Sequence, residues 1–454
     1  MAFNSLRFIF LFLPVVMLGW RLLPRRHAKV FLTLASYTFY AFAAGWYALL
    51  MVVSTSVDFA VGLLLEREMR PARRKLILLV SLAFNLGLLS FFKYYGFFID
   101  TVNLLAGHPV LHRVFQIVLP AGISFYTFQS MGYSIDVYRR DLEASHSFIE
   151  FASFVSLFPQ LIAGPIVRPR VLLPQLASNE KVDDSRVFEG LLLFVCGLSK
   201  KVLVADRLAF YADPILNAPG SHGSVDLWLS MVAFALQIYF DFSGYTDMAR
   251  GLARMLGLEL SINFDSPYQA DSPRDFWKRW HVSLSSWLRD YLYIPLGGNR
   301  KGRSRTDFNL MVTMLLGGLW HGAGLNFILW GAFHGLLLLV FHRTESFWVR
   351  IPRILRHATM LALILFSWIP FRMHTMTDLR TFVVRALHKP HLPNAPLALW
   401  CFVVLGIGIC ALPTNSNQIR WSGFGWGRTI VFALLSVLAI LYLNLSSKFI
   451  YFAF

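Results

Sequence analysis

The stretch FNLMVTMLLGGLWHGAGLNFILWGAFHGLLLLVFHR, residues 308–343, decides how this chain folds. A bilayer core asks for roughly 20 apolar residues per helix, and this run is long enough for two. Outward from it, comparable stretches recur near 6–22, 30–46, 47–65, 75–98, 113–134, 148–166, 187–209, 225–243, 354–371, 397–412 and 428–447, with short polar links between them. Counted together they make about 12 to 13 segments able to enter a membrane. The composition agrees: 56% of the 454 residues are apolar and 15% charged, against roughly 25% charged in an ordinary soluble protein. Disorder is excluded and a soluble globule disfavoured, and the expectation is an all-α polytopic membrane protein.

Lys and Arg exceed Asp and Glu, 42 to 25. In a soluble protein that excess would suggest nucleic acid; here the cause is the collection of cations in short cytoplasmic loops, and no nucleic-acid partner is expected. Arg21, Arg25, Arg26 and Lys29 follow the first run, and Arg67, Arg70, Arg73, Arg74 and Lys75 follow the third. Both loops are expected in the cytoplasm, with the N-terminus outside. The basic stretch 250–305 then faces inward only if one segment enters and leaves on the same side. Residues 148–166 are the candidate, because Pro159, Gly164 and Pro165 interrupt them. The first run lacks a small-residue cleavage site and reads as a span. We expect one transmembrane domain over 1–454, with no internal repeat. Cys196, Cys401 and Cys410 sit in apolar runs without a C-x-x-C pair, so neither disulfides nor a metal site is expected.

Chemistry concentrates between 236 and 334. In LQIYFDFSGYTDMARGLARMLG, Asp241 and Asp247 follow directly on an apolar helix. They are either partnered functional carboxylates near hydrocarbon or helix-end caps just beyond it. In SPRDFWKRWHVSLSSWLRDYLYIPLGG, Trp277, Trp280, His281, Leu284, Trp287, Leu288 and Tyr291 recur at helical spacing, with Lys278, Arg279 and Arg289 off that stripe. This predicts an amphipathic helix at the interface or under the core. Arg300, Lys301, Arg303 and Arg305 either attract a phosphorylated substrate or mark the cytoplasmic side. His321 stands among Gly317, Gly318, Gly322 and Gly324 in the middle of an apolar run. An ionisable group there is a functional hypothesis by default, and imidazole suits proton transfer near neutrality. His334 lies thirteen positions on, about 20 Å along an unbroken helix, so the pair makes a poor shared metal site unless the glycines fold the chain back. No H-E-x-x-H, G-x-S-x-G or phosphate-binding Gly-rich loop is present.

The segment 449–454, FIYFAF, is an aromatic run after Ser446, Ser447 and Lys448. Spacing alone favours a membrane-interface anchor. The alternative is a mobile nucleophile at Tyr451, should a base such as His321 take the phenol proton.

Taken in order, LPAGISFYTFQSMGYSIDVYR (119–139), FPQLIAGPIVRPRVLLPQ (158–175), GLSKKVLVAD (197–206), DFSGYTDMARGLARMLG (241–257), FWKRWHVSLSSWLRDYLYIPLGG, LWHGAGLNFILWG and FIYFAF resemble the membrane-bound O-acyltransferase family over nearly the whole length. The likeness is greatest to the branch of alginate O-acetyltransferases and the membrane component of peptidoglycan O-acetylation. The resemblance implies a ring of tilted helices with re-entrant and amphipathic helices around a central funnel. It places the family's membrane histidine on His321, its R-W-H histidine on His281, and a transient acyl-carrying tyrosine on Tyr451. It also implies acetyl-CoA as acyl-donor substrate rather than a bound cofactor, with phosphates held by Lys278, Arg279, Arg300, Lys301 and Arg303. The implied setting is the bacterial inner membrane, among lipid. The implied partner is an extracytoplasmic SGNH-type acetyltransferase that modifies a cell-surface polysaccharide. Two other readings stay open: a D-alanyl transferase of the same family, and a polytopic transporter or flippase. Against the latter stand the missing repeat halves and the scarcity of carboxylates deep in the spans.

Overall fold

The computed structural model describes residues 1–178, 182–388, 394–419, 425–445 and 449–450. Among these residues the apolar runs become helices and no strand forms. In chain order they are α1 Leu13–Leu22, α2 Arg25–Ala44, α3 Ala48–Arg67, α4 Pro71–Leu89, α5 Tyr95–Ala106, α6 Ile123–Arg139, α7 Phe148–Ser156, α8 Phe158–Leu161, α9 Pro169–Ala177 and α10 Asp184–Ser199. There follow α11 Asp206–Asn217, α12 Ser224–Met255, α13 Pro273–Arg279, α14 Val282–Leu288, α15 Arg303–His321, α16 Leu325–Trp348, α17 Arg353–Arg372, α18 Met376–Ala386, α19 Leu397–Ala411 and α20 Trp426–Leu441. Among the described residues, five helical stretches are long and apolar enough to cross a membrane: Arg25–Arg67, Pro71–Ala106, Ser224–Met255, Leu325–Trp348 and Arg353–Arg372. The first is divided at Gly45, whose φ of +61° lies outside the range of a helical L-residue, so α2 and α3 are separate rods. Along α20, Ile430, Val431, Leu434, Val437 and Leu441 are all exposed, a burden that a lipid environment removes. The protein is thus a multi-pass all-α membrane protein.

The chain forms two compact units, 1–194 with 248–261, and 195–247 with 262–454. In the first, α3, α4 and α6 meet around a buried carboxylate. Asp58 accepts from Ser81 Oγ at 2.6 Å, from Asn85 Nδ2 at 2.9 Å and from Ser134 Oγ at 3.2 Å. A charge or a polar group at that depth is tolerable only with such partners. Arg74 closes the end of α6 by donating to Val137 O at 3.1 Å and Tyr138 O at 2.8 Å. The run 148–166 is broken as its prolines and glycine led us to expect. Nine-residue α7 is about 14 Å long, too short to cross, and the bend falls at Leu157, where ψ is 110°. The run 113–134 differs from expectation: helix begins only at Ile123, because Pro120 has no N–H and Gly122 sits at φ +78°.

In the second unit, α15 and α16 form a tight antiparallel hairpin. A Cβ on Gly318 would lie 2.3 Å from Phe327 O, and one on Gly331 would lie 2.4 Å from Met314 O. The two backbones are therefore in contact, as small residues permit between helices in membranes. Asn326 Nδ2 donates to Met373 O at 2.9 Å and ties the start of α16 to the end of α17.

Candidate functional site

His321 is the last residue of α15, because Gly322 at φ −157° leaves the helical range and the chain turns into α16. Its ring is 5% exposed and boxed by aromatic rings, with centroids at 5.1 Å to Trp330, 5.2 Å to Trp320 and 5.5 Å to Phe371. One side is open. His321 lines a cavity of about 720 Å³ together with Trp330, Trp277 and Met314, and the same cavity is lined by the exposed cations Arg274, Lys278 and Arg289. It therefore connects the surface with a buried imidazole.

The expected single amphipathic helix across 273–291 is two helices. They part at Trp280 and His281, and His281 adopts φ +45°, a conformation rare for a residue with a Cβ. The apolar stripe is nevertheless the buried side, with Trp280 2%, His281 0% and Leu284 1% exposed. The break turns the His281 ring towards His321, with ring centroids 6.2 Å apart, and stacks it edge-on to Phe242 at 4.7 Å. Its tautomer follows from its neighbours. Asn263 Oδ1 accepts the backbone N–H of Ser283 at 3.2 Å, which fixes that atom as oxygen, and it lies 3.1 Å from His281 Nδ1. His281 Nδ1–H is thus the donor, and Nε2 carries the lone pair. Burial pushes the imidazole down to about 3, so it is neutral at physiological pH.

The other residues singled out from sequence are placed as follows. Lys278 faces the His321 cavity, whereas Arg279 is turned to Asp275 at 2.9 Å and to Asp265 O at 3.2 Å. Arg300, Lys301 and Arg303 are exposed and are not among the residues lining this cavity. Sequence reasoning assigned no role to Arg274 or Arg289. The latter is one of the cations off the apolar stripe, and that position was the signal. His334 is folded back by the glycines after all: it packs 4.7 Å from Trp330, the ring that His321 also contacts, and stacks on Phe276 at 5.9 Å. Asp241 is a partnered carboxylate rather than a cap. It pairs with Lys201 and accepts the backbone N–H of Ile450 at 2.8 Å. Phe449 packs against Tyr245 at 4.7 Å and Phe242 at 6.0 Å. Tyr451 lies outside the described residues.

Residues 139–369 match the membrane-bound O-acyltransferase family, and the chain belongs to it. Among particular relatives, a probable alginate O-acetylase of Pseudomonas aeruginosa is 45% identical over 75% of this chain and 66% of its own length. The peptidoglycan O-acetyltransferase of Helicobacter pylori is 34% identical over 100% of this chain and 98% of its own. The teichoic acid D-alanyltransferase of Bacillus subtilis is more distant, 26% identical over 55% of this chain. The chain thus spans just under two thirds of the length of the Pseudomonas relative.

Proposed function

We propose that this protein is an O-acetyltransferase of the bacterial inner membrane that carries an acetyl group from a cytoplasmic thioester, acetyl-CoA, to a partner on the outer side. The observation that carries the reading is the shared cavity of His321 with Arg274, Lys278 and Arg289. Phosphate groups are held by the exposed cations, and the thioester arm reaches inward to the imidazole.

The Tyr451 oxygen attacks the thioester carbonyl while His321 takes the phenol proton as general base. The tetrahedral intermediate collapses, the C–S bond breaks, and the departing thiolate recovers the proton from His321. The products are a phenolic acetate and a free thiol. His281 has its Nδ1–H committed to Asn263, so its role is to order the residues packed around His321. A neutral imidazole in this tautomer presents no Nε2–H to an oxyanion. The acetyl ester is then delivered to an SGNH-type transferase outside the membrane, which places it on a cell-surface polysaccharide. Acetyl is favoured over D-alanyl cargo by the nearer likeness to relatives named for O-acetylation, 45% and 34% against 26%.

The test is incubation of the purified protein with radiolabelled acetyl-CoA. The expected result is a hydroxylamine-sensitive label that is lost in Tyr451→Phe and in His321→Ala. Label in Tyr451→Phe would overturn the relay, and label in His321→Ala would overturn the base. A wild-type protein that takes no label from acetyl-CoA would overturn the acetyl reading in favour of another cargo or of transport.

A further inference from the structure

The stretch GLSKKVLVAD (197–206) contributes nothing to the cavity of His321, yet it carries a buried ion cluster. Lys200–Ala205 forms a π-helical turn leading into α11, a distortion that recurs at functional positions. From this turn Lys201 Nζ reaches Asp206 at 2.7 Å and Asp241 on α12, and all three side chains are 3% exposed or less. The approach of α12 depends on Gly244. A Cβ there would lie 2.7 Å from Gly197 O and 3.1 Å from the Lys201 amide nitrogen. One turn earlier, that contact puts Asp241 beside Lys201.

The second oxygen of Asp241 is what the cluster presents. It accepts the N–H of Ile450 at 2.8 Å, with Ile450 8% and Phe449 6% exposed. At the start of α11, Arg207 donates to Leu445 O at 2.5 Å and its guanidinium lies 5.4 Å over the Tyr442 ring. The chain is therefore held at 445 by α11 and at 450 by α12. Phe449 fills the space between, against Phe242, the ring that also supports His281. We propose that Lys201, Asp206 and Asp241 form a dock for the 449–450 segment, with Asp241 as the positioning residue that anchors this segment for acyl transfer by the tyrosine that follows it. The inference rests on the relay reading above for its purpose, though not for its geometry. Lys201 pairs with Asp241 and holds it pointed, and the bond from Ile450 N–H to this ion-paired carboxylate fixes the register of the 449–450 segment.

The experiment uses the full chain and two readouts, the rate of hydroxylamine-sensitive labelling at saturating donor and hydrogen exchange of the peptide containing 451–454. Ile450→Pro removes the N–H while leaving the ion cluster untouched, so it does not depend on refolding the body; Ile450→Ala keeps the N–H. Loss of a hydrogen bond to a charged group predicts labelling about ten- to a hundredfold slower in Ile450→Pro, with the donor KM and melting temperature unchanged, and a smaller loss in Ile450→Ala. Asp241→Ala is expected to slow labelling likewise and to speed exchange in the 451–454 peptide. Wild-type labelling and exchange in both Ile450→Pro and Asp241→Ala would overturn the dock, even with Tyr451→Phe inactive. Conversely, normal labelling in Tyr451→Phe with fast exchange in Asp241→Ala would leave the dock standing and remove the relay. Fast exchange in Asp241→Ala with wild-type labelling would overturn the assignment of Asp241 as a positioning residue for transfer.

Discussion

Gly318→Ala places one methyl group where α15 and α16 touch. Its carbon would lie 2.3 Å from the carbonyl oxygen of Phe327, with Gly331 Cα at 3.1 Å. A carbon and a carbonyl oxygen rest at about 3.3 Å, so the helices must part by about an ångström. Neither neighbour is a flexible side chain that can turn aside. Overpacking of this kind costs about 1–3 kcal/mol, against which Ala recovers up to about 1 kcal/mol of helix propensity. The net effect on melting is therefore modest. Catalysis suffers more. Gly318 is one turn before His321, and the displaced helix carries Trp330, whose ring sits 5.1 Å from the imidazole. A misplacement near 1 Å costs on the order of a hundredfold in rate. The assay pairs acetyl-transfer rate with a melting curve in detergent. Gly408→Ala on α19, where a Cβ meets nothing within 4 Å, serves as the comparison. A Gly318→Ala protein that melts and transfers like wild type would refute the reasoning, for it would mean that the hairpin contact does not hold the imidazole in place.

Two further outcomes follow from the site. Lys278→Ala combined with Arg289→Ala is expected to raise the KM for acetyl-CoA several-fold, with a smaller effect on kcat and with the difference shrinking at high salt, because both cations are exposed and their attraction for phosphate is screened; an unchanged KM at low salt would exclude them from donor binding. His281 titrates at about 3 in the folded protein because of burial, and near 6.5 once unfolded. The unfolded chain therefore binds the proton first, and stability falls as pH drops from about 6.5 towards 3. His281→Asn, whose side chain tolerates the positive φ, should flatten that part of the curve of melting temperature against pH, and parallel curves for the two proteins would contradict the assignment.

The helices were legible because hydrophobicity and length are one-dimensional properties. The run 308–343 became α15 and α16, and 354–371 became α17, within a few residues. The run 113–134 was overcalled because apolar content outweighed the local veto of Pro120 and Gly122. Likewise, the periodicity through 277–291 survives a break at His281, since the buried stripe continues on both sides of it. His321 was legible from the oddity of an imidazole among glycines. The cations were harder to sort. Arg279 has Asp275 four residues before it, a local partner visible in sequence, whereas Arg300, Lys301 and Arg303 are distinguished from Lys278 only by where the fold places the start of α15 and the turn before it. The ion cluster at Asp241 was half legible. Hydropathy left a partnered carboxylate and a helix-end cap equally open, because Lys201 and the Ile450 amide are distant in sequence and only the tertiary structure brings them together.

Asp58 has a bearing on how the protein is made. A carboxyl group at the centre of a nascent membrane helix opposes insertion by about 2.5–3.5 kcal/mol. Its partners arrive at different times during synthesis. Ser81 and Asn85 belong to α4, separated from α3 by three residues, while Ser134 on α6 emerges some fifty residues later. Helices α3 and α4 are thus suited to enter the bilayer as a hairpin, with Asn85 already shielding the acid, and α6 completes the shell afterwards. The order of synthesis is then also the order in which that acid finds its ligands.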